Sequence, residues 1–265
     1  LALTLYGELD VSIIDELPPG RQPIVTRHVP DTRAVEVYEF VRRQVAAGRQ
    51  AYIVYPLVEE SEKADLRSAL EMYEHLARAV FPDLRLGVLH GRLASEEKER
   101  VMADFQAGRV QVLVATTVVE VGVDVANATV MVIEHAERFG LAQLHQLRGR
   151  VGRGAHRSYC ILISSGQLTD EAQERIGVLT RTNDGFQIAE TDLALRGPGE
   201  FFGTRQSGMP AFRVADLLRD REILELARQQ AMRFVENPPS HEEASALVTY
   251  VREHWSRRYG LVQVG

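Results

Sequence analysis

Cysteine, lysine and long apolar runs are scarce in this chain of 265 residues. The single cysteine, Cys160, lies in an apolar run, so no disulfide can form within the chain and we expect a buried thiol in a reducing cytoplasm. No run of about 18 apolar residues occurs, so no transmembrane helix and no membrane partner are expected. The phosphate-binding pattern Gly-x-x-x-x-Gly-Lys-Ser/Thr is also missing, so we do not expect the chain alone to bind a nucleoside triphosphate tightly.

Positive charge is carried almost entirely by arginine, since Lys63 and Lys98 are the only lysines, and the net charge is −6. A protein that coats nucleic acid non-specifically neutralises many phosphates at once, so the acidic balance predicts that any phosphate site is local. One segment contains five arginines and no acidic residue: Arg138, Arg148, Arg150, Arg153 and Arg157. We expect this segment to form a concentrated positive face.

The first residues indicate a piece of a longer protein, because Leu1 is not a methionine and no basic signal-peptide region follows it. Pro18, Pro19, Gly20 and Pro23 exclude a regular helix or strand there. Asp15 and Glu16 superficially imitate a Walker B carboxylate pair, but prolines follow directly. We therefore predict a linker over residues 1–23 and no metal ligand.

Short apolar runs, typical of strands buried on both faces, alternate with helical patterns up to residue 166. The predicted strands are Ile24 to Val29, Gln50 to Tyr55, Leu84 to Leu89, Val110 to Ala115, Val130 to Glu134 and Tyr159 to Ser164. The predicted helices are Arg33 to Ala47, Ala64 to Val80 and Ser95 to Phe105, with Ser95 as the N-cap. This alternation predicts a doubly wound, parallel α/β sheet over residues 24–166.

Beyond about Ser165 the alternation stops and helical patterns dominate. The predicted helices are Leu168 to Arg181, Gln187 to Arg196, Val214 to Val235 and His241 to Trp255, with a glycine-rich stretch from Gly197 to Gly208. We therefore predict a second, smaller, all-helical region over residues 167–265.

Two segments that follow strands are candidate sites, because ligands of open α/β sheets bind beyond the carboxyl ends of the strands. After the predicted strand Val110 to Ala115, Thr116 supplies a hydroxyl, Gly122 permits close backbone approach and Asp124 can accept from a sugar hydroxyl. The alternative is that Gly122 forms a turn and Asp124 caps a helix. After another, His90 and Gly91 precede a helix whose N-terminus could hold a backbone phosphate. An ordinary loop is the equal alternative there.

A third segment runs from Gln146 to Gly154 and contains Arg150 and Arg153. Three residues apart on a helical turn, the two guanidinium groups would point the same way, and the flanking glycines would clear space for an anion. The planar arginine fork binds two oxygens of a transferring phosphoryl group. We expect the pair at the carboxyl edge of the sheet, the alternative being a solvated arginine-rich turn.

In order and spacing, these segments resemble motifs IVa, V and VI of superfamily 2 helicases, which define the second RecA-like lobe of those proteins. Downstream, the segments Thr180 to Phe186 and Asp192 to Gly208 resemble the translocation motif that the RecG and Mfd families share. Its sequence Gly-Pro-Gly-Glu-Phe-Phe-Gly-Thr-Arg-Gln-Ser-Gly is similar to the RecG form of the motif. The segment Leu1 to Arg21 also resembles the RecG segment after motif III. The resemblance covers nearly the whole chain.

The resemblance implies a role for each motif residue. Arg150 and Arg153 would be arginine fingers on the γ-phosphate of ATP, with Gln146 positioning them. The other implied sets are a nucleotide cleft lined by Gly122 and Asp124, DNA-backbone contacts from His90, Gly91 and Thr116, and a translocation motif that includes Arg196, Gly197, Gly203 and Gln206. ATP with Mg would be bound mainly by a first lobe outside this sequence.

The resemblance implies a bacterial, cytoplasmic, nucleoid-associated motor that remodels stalled forks and Holliday junctions in recombination and repair. Its partners would be double-stranded and branched DNA, and the first RecA-like lobe and wedge domain of the same parent chain. This chain alone would be inactive, since it has no phosphate loop. The alternatives are an Mfd-like double-stranded DNA translocase and a non-catalytic DNA-binding module.

Overall fold

The computed structural model describes residues 22–56, 70–116, 125–201, 220–237, 240, 242 and 244–250. Within these residues, six parallel strands form one sheet in the order β1-β6-β5-β2-β4-β3. The strands are β1 Val25–Pro30, β2 Gln50–Val54, β3 Leu86–Leu89, β4 Val112–Ala115, β5 Ala128–Ile133 and β6 Tyr159–Ser164. The predicted doubly wound, parallel α/β sheet is therefore confirmed.

Helices cover the sheet because its central strands are apolar on both faces. Every residue of β2, β4 and β5 is buried, as expected for parallel strands enclosed by crossover helices. The helices of this unit are α1 Ala34–Ala46, α2 Ser95–Gln106, α3 Leu141–Arg148 and α4 Asp170–Arg181. On α1, the spacing of Val37, Val41 and Val45 places all three in the core. Cys160 is also buried, and burial raises the pKa of its thiol to about 12.

The predicted start of α2 needs one correction. Ser95 is the first helical residue, and Ala94 occupies the N-cap position in an extended conformation. The carboxylate of Glu97 accepts a hydrogen bond of 3.3 Å from the Ala94 N–H, which satisfies one amide of the first turn. The predicted Ser95 cap is therefore wrong, and Glu97 instead stabilises the start of the helix from its third position. Residues 70–80 are helical, ending in a π-helical turn over Leu76–Val80.

The helices after the sheet differ from the prediction at one boundary. Helix α5 spans Gly185–Phe201, so it includes residues that we had predicted to begin a glycine-rich, non-helical stretch. The helix continues even though Pro198 lacks the N–H for one helical hydrogen bond. Helix α6 spans Arg221–Glu236, and residues 244–250 are helical.

The described residues 22–192 belong to one compact unit, and α6 belongs to a second. Helix α4 packs on β1 and on the 3-10 turn Ala136–Arg138, burying Ile176 and Leu179. It is therefore part of the same unit as the sheet, whereas the division at residues 166 and 167 was drawn from the sequence alternation and stays a prediction. Among the described helices, none is both long and apolar enough to cross a bilayer.

Candidate nucleotide and nucleic-acid sites at opposite edges of the sheet

His90 and Thr116 lie side by side at the carboxyl edge. They follow β3 and β4, whose last residues Leu89 and Ala115 are paired, and the Thr116 N–H donates to the Leu89 carbonyl at 3.2 Å. Both side chains are buried, yet Thr116 Oγ1 and His90 Nδ1 have no hydrogen-bond partner among the described residues. A buried polar atom without a partner costs free energy, so the pair marks a place where a polar ligand atom would be stabilised.

The loop between β3 and α2 carries charge of both signs. Lys98 Nζ donates to the Gly91 carbonyl at 2.7 Å, while Glu97 puts a carboxylate at the helix N-terminus. Burial, and then the positive charge of Lys98, lower the pKa of His90. The lowered pKa favours the neutral form of His90, and Lys98 and Arg92 supply the positive charge that a phosphate would need at this loop.

A buried polar cluster lies at the carboxyl ends of β5 and β2. The Tyr38 hydroxyl on α1 donates to Glu134 Oε1 at 2.7 Å, directly after β5. Burial raises the pKa of Glu134 and, together with the charges of Tyr38 and Glu134, raises the pKa of Tyr55. His135 follows in the left-handed region, with φ of 51°, which is uncommon for a residue other than glycine. Sequence reasoning did not single out this cluster, because its members come from three separate elements.

The arginine turn, residues 149–154, lies at the opposite edge of the sheet. A Cβ atom on Gly152 would lie 2.8 Å from the side chain of Ile24, and one on Gly154 would lie 2.4 Å from the carbonyl oxygen of Ala126. Ile24 and Ala126 precede the first residues of β1 and β5, so the turn lies at the amino edge. Our expectation of the carboxyl edge was wrong, because a segment that leaves a helix and enters a parallel strand must reach the strand's amino end.

The turn is a loop rather than a continuation of α3. The helix ends at Arg148, and Gly152 adopts a φ of 78°, which glycine tolerates and other residues rarely adopt. Arg153 is exposed and donates from Nε to the Gly149 carbonyl at 3.0 Å, and Arg150 is half-buried on the same turn. The predicted helical spacing of the two arginines is therefore wrong, although the structure does bring both onto one short turn. Gln146 is exposed on the last turn of α3.

One of the five arginines that we expected on the positive face is buried. Arg148 is only 3% exposed, and its guanidinium donates to the carbonyl oxygens of Leu179 and Thr182 at 3.1 and 2.8 Å. Burial lowers the pKa of Arg148. Arg157 is exposed, with its guanidinium 5.9 Å from the centre of the Tyr159 ring. In a single sequence, a buried arginine cannot be distinguished from the exposed arginines of the same motif.

Several predicted site residues lie outside the described residues. Gly122 and Asp124 belong to the segment between Thr116, at the carboxyl edge, and Val125, just before β5 at the amino edge. Gly203 and Gln206 also lie outside, while Arg196 and Gly197 belong to α5.

No group of three or more His, Cys, Asp or Glu side chains in the described residues could hold a metal ion, so we assign no magnesium ligand there. The arginine turn can bind a different ligand, because guanidinium groups beside small glycines are well suited to the phosphates of a nucleotide.

Comparisons with known proteins place the chain in a family. Residues 34–155 match the helicase conserved C-terminal domain, and residues 182–257 match domain 3, C-terminal, of the ATP-dependent DNA helicase RecG. An ATP-dependent DNA helicase RecG from Thermotoga maritima is 59% identical over 229 residues, covering 86% of this chain and 29% of that protein. The RecG helicase of Escherichia coli K12 is 50% identical over 256 residues, covering 96% of this chain and 36% of that protein.

A solved structure of RecG bound to a three-way DNA junction matches with a TM-score of 0.66 and 55% identity. The match covers 84% of this chain and 28% of that one. The chain thus spans about a third of the length of the curated relatives it matches. These matches identify the chain as a helicase C-terminal lobe of the RecG family, with the RecA-like fold.

Proposed function

We propose that this lobe is the second motor lobe of an ATP-dependent DNA helicase that remodels branched DNA, such as stalled forks and Holliday junctions. It acts in the bacterial cytoplasm, at the nucleoid. ATP and its magnesium ion are held mainly by a first RecA-like lobe, and a wedge domain of the same parent protein engages the branch point. The chain by itself does not hydrolyse ATP in this proposal, because it contains no phosphate loop.

The nucleotide role is assigned to the amino edge of the sheet. Arg150 and Arg153 extend from one turn and act as arginine fingers on the γ-phosphate, while Gln146 positions them from α3. The same nucleotide-binding role is assigned to Gly122 and Asp124 from the motif that they belong to. A guanidinium group stabilises the charge of the phosphoryl group in the transition state, and such a finger is worth about 10³ to 10⁵ in rate.

The DNA role is assigned to the carboxyl edge. His90, Gly91 and Thr116 contact the DNA backbone there, where Thr116 Oγ1 and His90 Nδ1 lie buried with no hydrogen-bond partner in the part of the chain that the structure describes. A phosphate oxygen could accept from the Thr116 hydroxyl. Arg196, Gly197, Gly203 and Gln206 belong to the translocation motif that converts lobe closure into movement along the duplex.

One observation carries this proposal. The arginine turn contacts the residues preceding β1 and β5, whereas His90 and Thr116 follow β3 and β4, so the two candidate sites lie at opposite edges of one sheet. A lobe that binds a nucleotide at one edge and DNA at the other can convert a change at the first into a movement of the second. The RecG structure that matches this lobe is described as bound to a three-way DNA junction, which supports branched DNA as the substrate.

The test is ATP hydrolysis by the full-length protein with and without a three-way DNA junction. We expect the junction to stimulate hydrolysis, and Arg150→Ala and Arg153→Ala each to lower kcat by about 10³-fold or more. Arg157→Ala is the matched control, since this exposed arginine of the same segment contacts the Tyr159 ring. Hydrolysis that neither junction DNA nor the two substitutions change would instead favour a non-catalytic DNA-binding module. Equal stimulation by junction and linear duplex would favour an Mfd-like translocase.

A further inference from the structure

Arg148 is the buried member of the arginine-rich segment, and it joins two helices. Its guanidinium donates to the carbonyl oxygens of Leu179 and Thr182 at the C-terminal end of α4. It also lies 3.1 Å from Nδ1 of His145, one turn earlier on α3. Arg148 therefore anchors the last turn of α3 to the last turn of α4.

The environment explains why an arginine can be buried there. The C-terminal carbonyls of a helix lack partners within the helix and lie at the negative end of its dipole, so they compensate a cation. The planar fork allows NH1 to reach two carbonyls while NH2 reaches His145. A buried ionic group is weak evidence for a gain in stability, whereas it does define one geometry.

The anchor is connected directly to the arginine turn. The Gly149 N–H donates to the His145 carbonyl at 3.0 Å, and the Val151 N–H donates to the Arg148 carbonyl at 3.3 Å. Arg153 in turn donates to the Gly149 carbonyl. A shift of Arg148 would therefore move the backbone from which Arg150 and Arg153 extend.

The anchor also reaches the start of α5. Thr182, which accepts from Arg148, provides the hydroxyl oxygen that accepts from the Asp184 N–H at 3.0 Å. The Asp184 carboxylate then accepts from the Phe186 N–H at 2.8 Å, within the first turn of α5. His145 lies against the same turn, since a Cβ atom on Gly185 would be 3.4 Å from His145 Nε2.

We propose that Arg148 is a positioning residue for ATP hydrolysis, which fixes the arginine turn relative to α4 and the first turn of α5. It does not contact the triphosphate, and it acts through Arg150 and Arg153. The inference rests on the proposed function, since it assigns the support of the same nucleotide site.

The expected signature is a loss of kcat without a matching change in KM for ATP. Arginine fingers act mainly on the transition state, and a displacement of about 1 Å in a positioned catalytic group can cost about 10²-fold in rate. ATP binding, which depends mainly on the other lobe, is expected to change little. A purely structural residue would instead lower the amount of folded enzyme and leave kcat per folded molecule unchanged.

The experiment compares Arg148→Met, Arg148→Lys and the control Arg181→Met in the full-length protein. Arg181 lies on the last turn of α4 but pairs with Glu174. Steady-state ATP hydrolysis on a three-way junction gives kcat and KM, and amide hydrogen exchange reports on residues 149–151. We expect about a 10²-fold lower kcat for Arg148→Met with faster exchange in the turn only. Arg148→Lys should lose less, because lysine keeps the charge but not the fork, and Arg181→Met should resemble the parent.

A parent-like kcat in Arg148→Met, while Arg150→Ala abolishes hydrolysis, overturns the positioning role and leaves the proposed function intact. Faster exchange throughout β5 and β6 also overturns it, because the residue would then support the whole fold. If Arg148→Met does not fold, Arg148→Lys is the deciding variant: faster amide exchange in residues 149–151 together with a parent-like kcat would overturn the role, because the turn would then have moved without any effect on hydrolysis. If Arg150→Ala and Arg153→Ala leave hydrolysis unchanged, the proposed function itself has failed.

Discussion

The carbonyl oxygen of Ala126 lies 2.4 Å from the position that a Cβ atom on Gly154 would occupy. Real Cβ atoms do not approach a backbone oxygen so closely, so only glycine fits at this position. The contact joins the end of the arginine turn to the residues that precede β5. The end of the turn therefore lies directly against the amino edge of the sheet.

Gly154→Ala is predicted to destabilise the lobe and displace the arginine turn. Inserting a methyl group into a filled site costs about 1 to 3 kcal/mol, and the obstructing atom here belongs to the backbone. Urea unfolding of the chain measures the stability, and ATP hydrolysis by the full-length protein reports the turn. Gly185→Ala is the matched control, because its Cβ would make ordinary contact at 3.4 Å with His145. Equal stability of the two variants would show that the turn moves freely away from Ala126.

Thr116→Val is predicted to leave the lobe as stable as the parent, or to stabilise it, while lowering stimulation by DNA. Its hydroxyl is buried without a partner among the described residues, and such a group costs about 1 to 3 kcal/mol. Valine has nearly the same shape but cannot donate to a phosphate oxygen. Junction-stimulated ATP hydrolysis and urea unfolding are measured together.

Thr129→Val is the control for this pair of measurements. The Thr129 hydroxyl is also buried without such a partner, but it lies near the amino end of β5. We expect the same effect on stability and unchanged stimulation by DNA. If both variants lose stimulation equally, the Thr116 hydroxyl has no special role at the carboxyl edge.

Glu134→Gln is predicted to become more stable relative to the parent as the pH rises. Burial raises the pKa of Glu134 above its ordinary value of 4.5, so the folded state binds the proton more tightly than the unfolded state. The parent's stability therefore falls as the pH rises from about 4.5 through the raised pKa, and glutamine removes this fall. Urea unfolding at a series of pH values measures the difference.

Tyr38→Phe is predicted to lose more stability than the parent as the pH rises, which is the opposite of the change expected for Glu134→Gln. The Tyr38 hydroxyl donates to Glu134 and lowers its pKa, so its loss raises the pKa further and steepens the fall in stability. Profiles for Glu134→Gln and the parent that stay parallel at all pH values would contradict a raised pKa for Glu134.

The isolated chain is predicted to bind DNA weakly and with a shallow dependence on salt. Its net charge is −6, and only local sites can meet phosphates. A protein with 6 to 10 phosphate contacts loses about 10³ to 10⁵ in affinity between 50 and 200 mM salt, and we expect a far smaller loss. Fluorescence anisotropy with a labelled junction at several salt concentrations measures the slope. Nanomolar binding at physiological salt would contradict the prediction.

The central strands β2, β4 and β5 were predictable because burial on both faces leaves continuous apolar runs. Five predicted strands agree with the structure to within two residues at each end, and Tyr159–Ser164 agrees at both. The end of α5 was harder, since glycine and proline after Arg196 favour a break and the structure continues the helix to Phe201. Intrinsic preference is a weak guide where neighbouring residues decide the outcome.

We assigned the arginine turn to the wrong edge of the sheet because we applied a rule for segments that follow strands to a segment that precedes one. Ligands gather beyond the carboxyl ends of parallel strands, but this turn enters β6 rather than leaving a strand. The sequence contained the information needed, because the turn follows the apolar spacing of Leu141, Leu144 and Leu147 on α3 and precedes a strand run. The structure then shows that Gly152 lies against Ile24 and that Gly154 lies against Ala126.

The α/β class, the order of the strands along the chain and the motif residues were predictable from the residues alone, because periodicity and residue type depend on neighbours along the chain. Three features depend on long-range packing instead: Arg148 is buried against α4, Thr116 and His90 lie together, and Tyr38 donates to Glu134. These contacts join residues between 26 and 96 positions apart. Such pairs are selected by packing and by the need to satisfy buried polar atoms, and neither leaves a local pattern in one sequence.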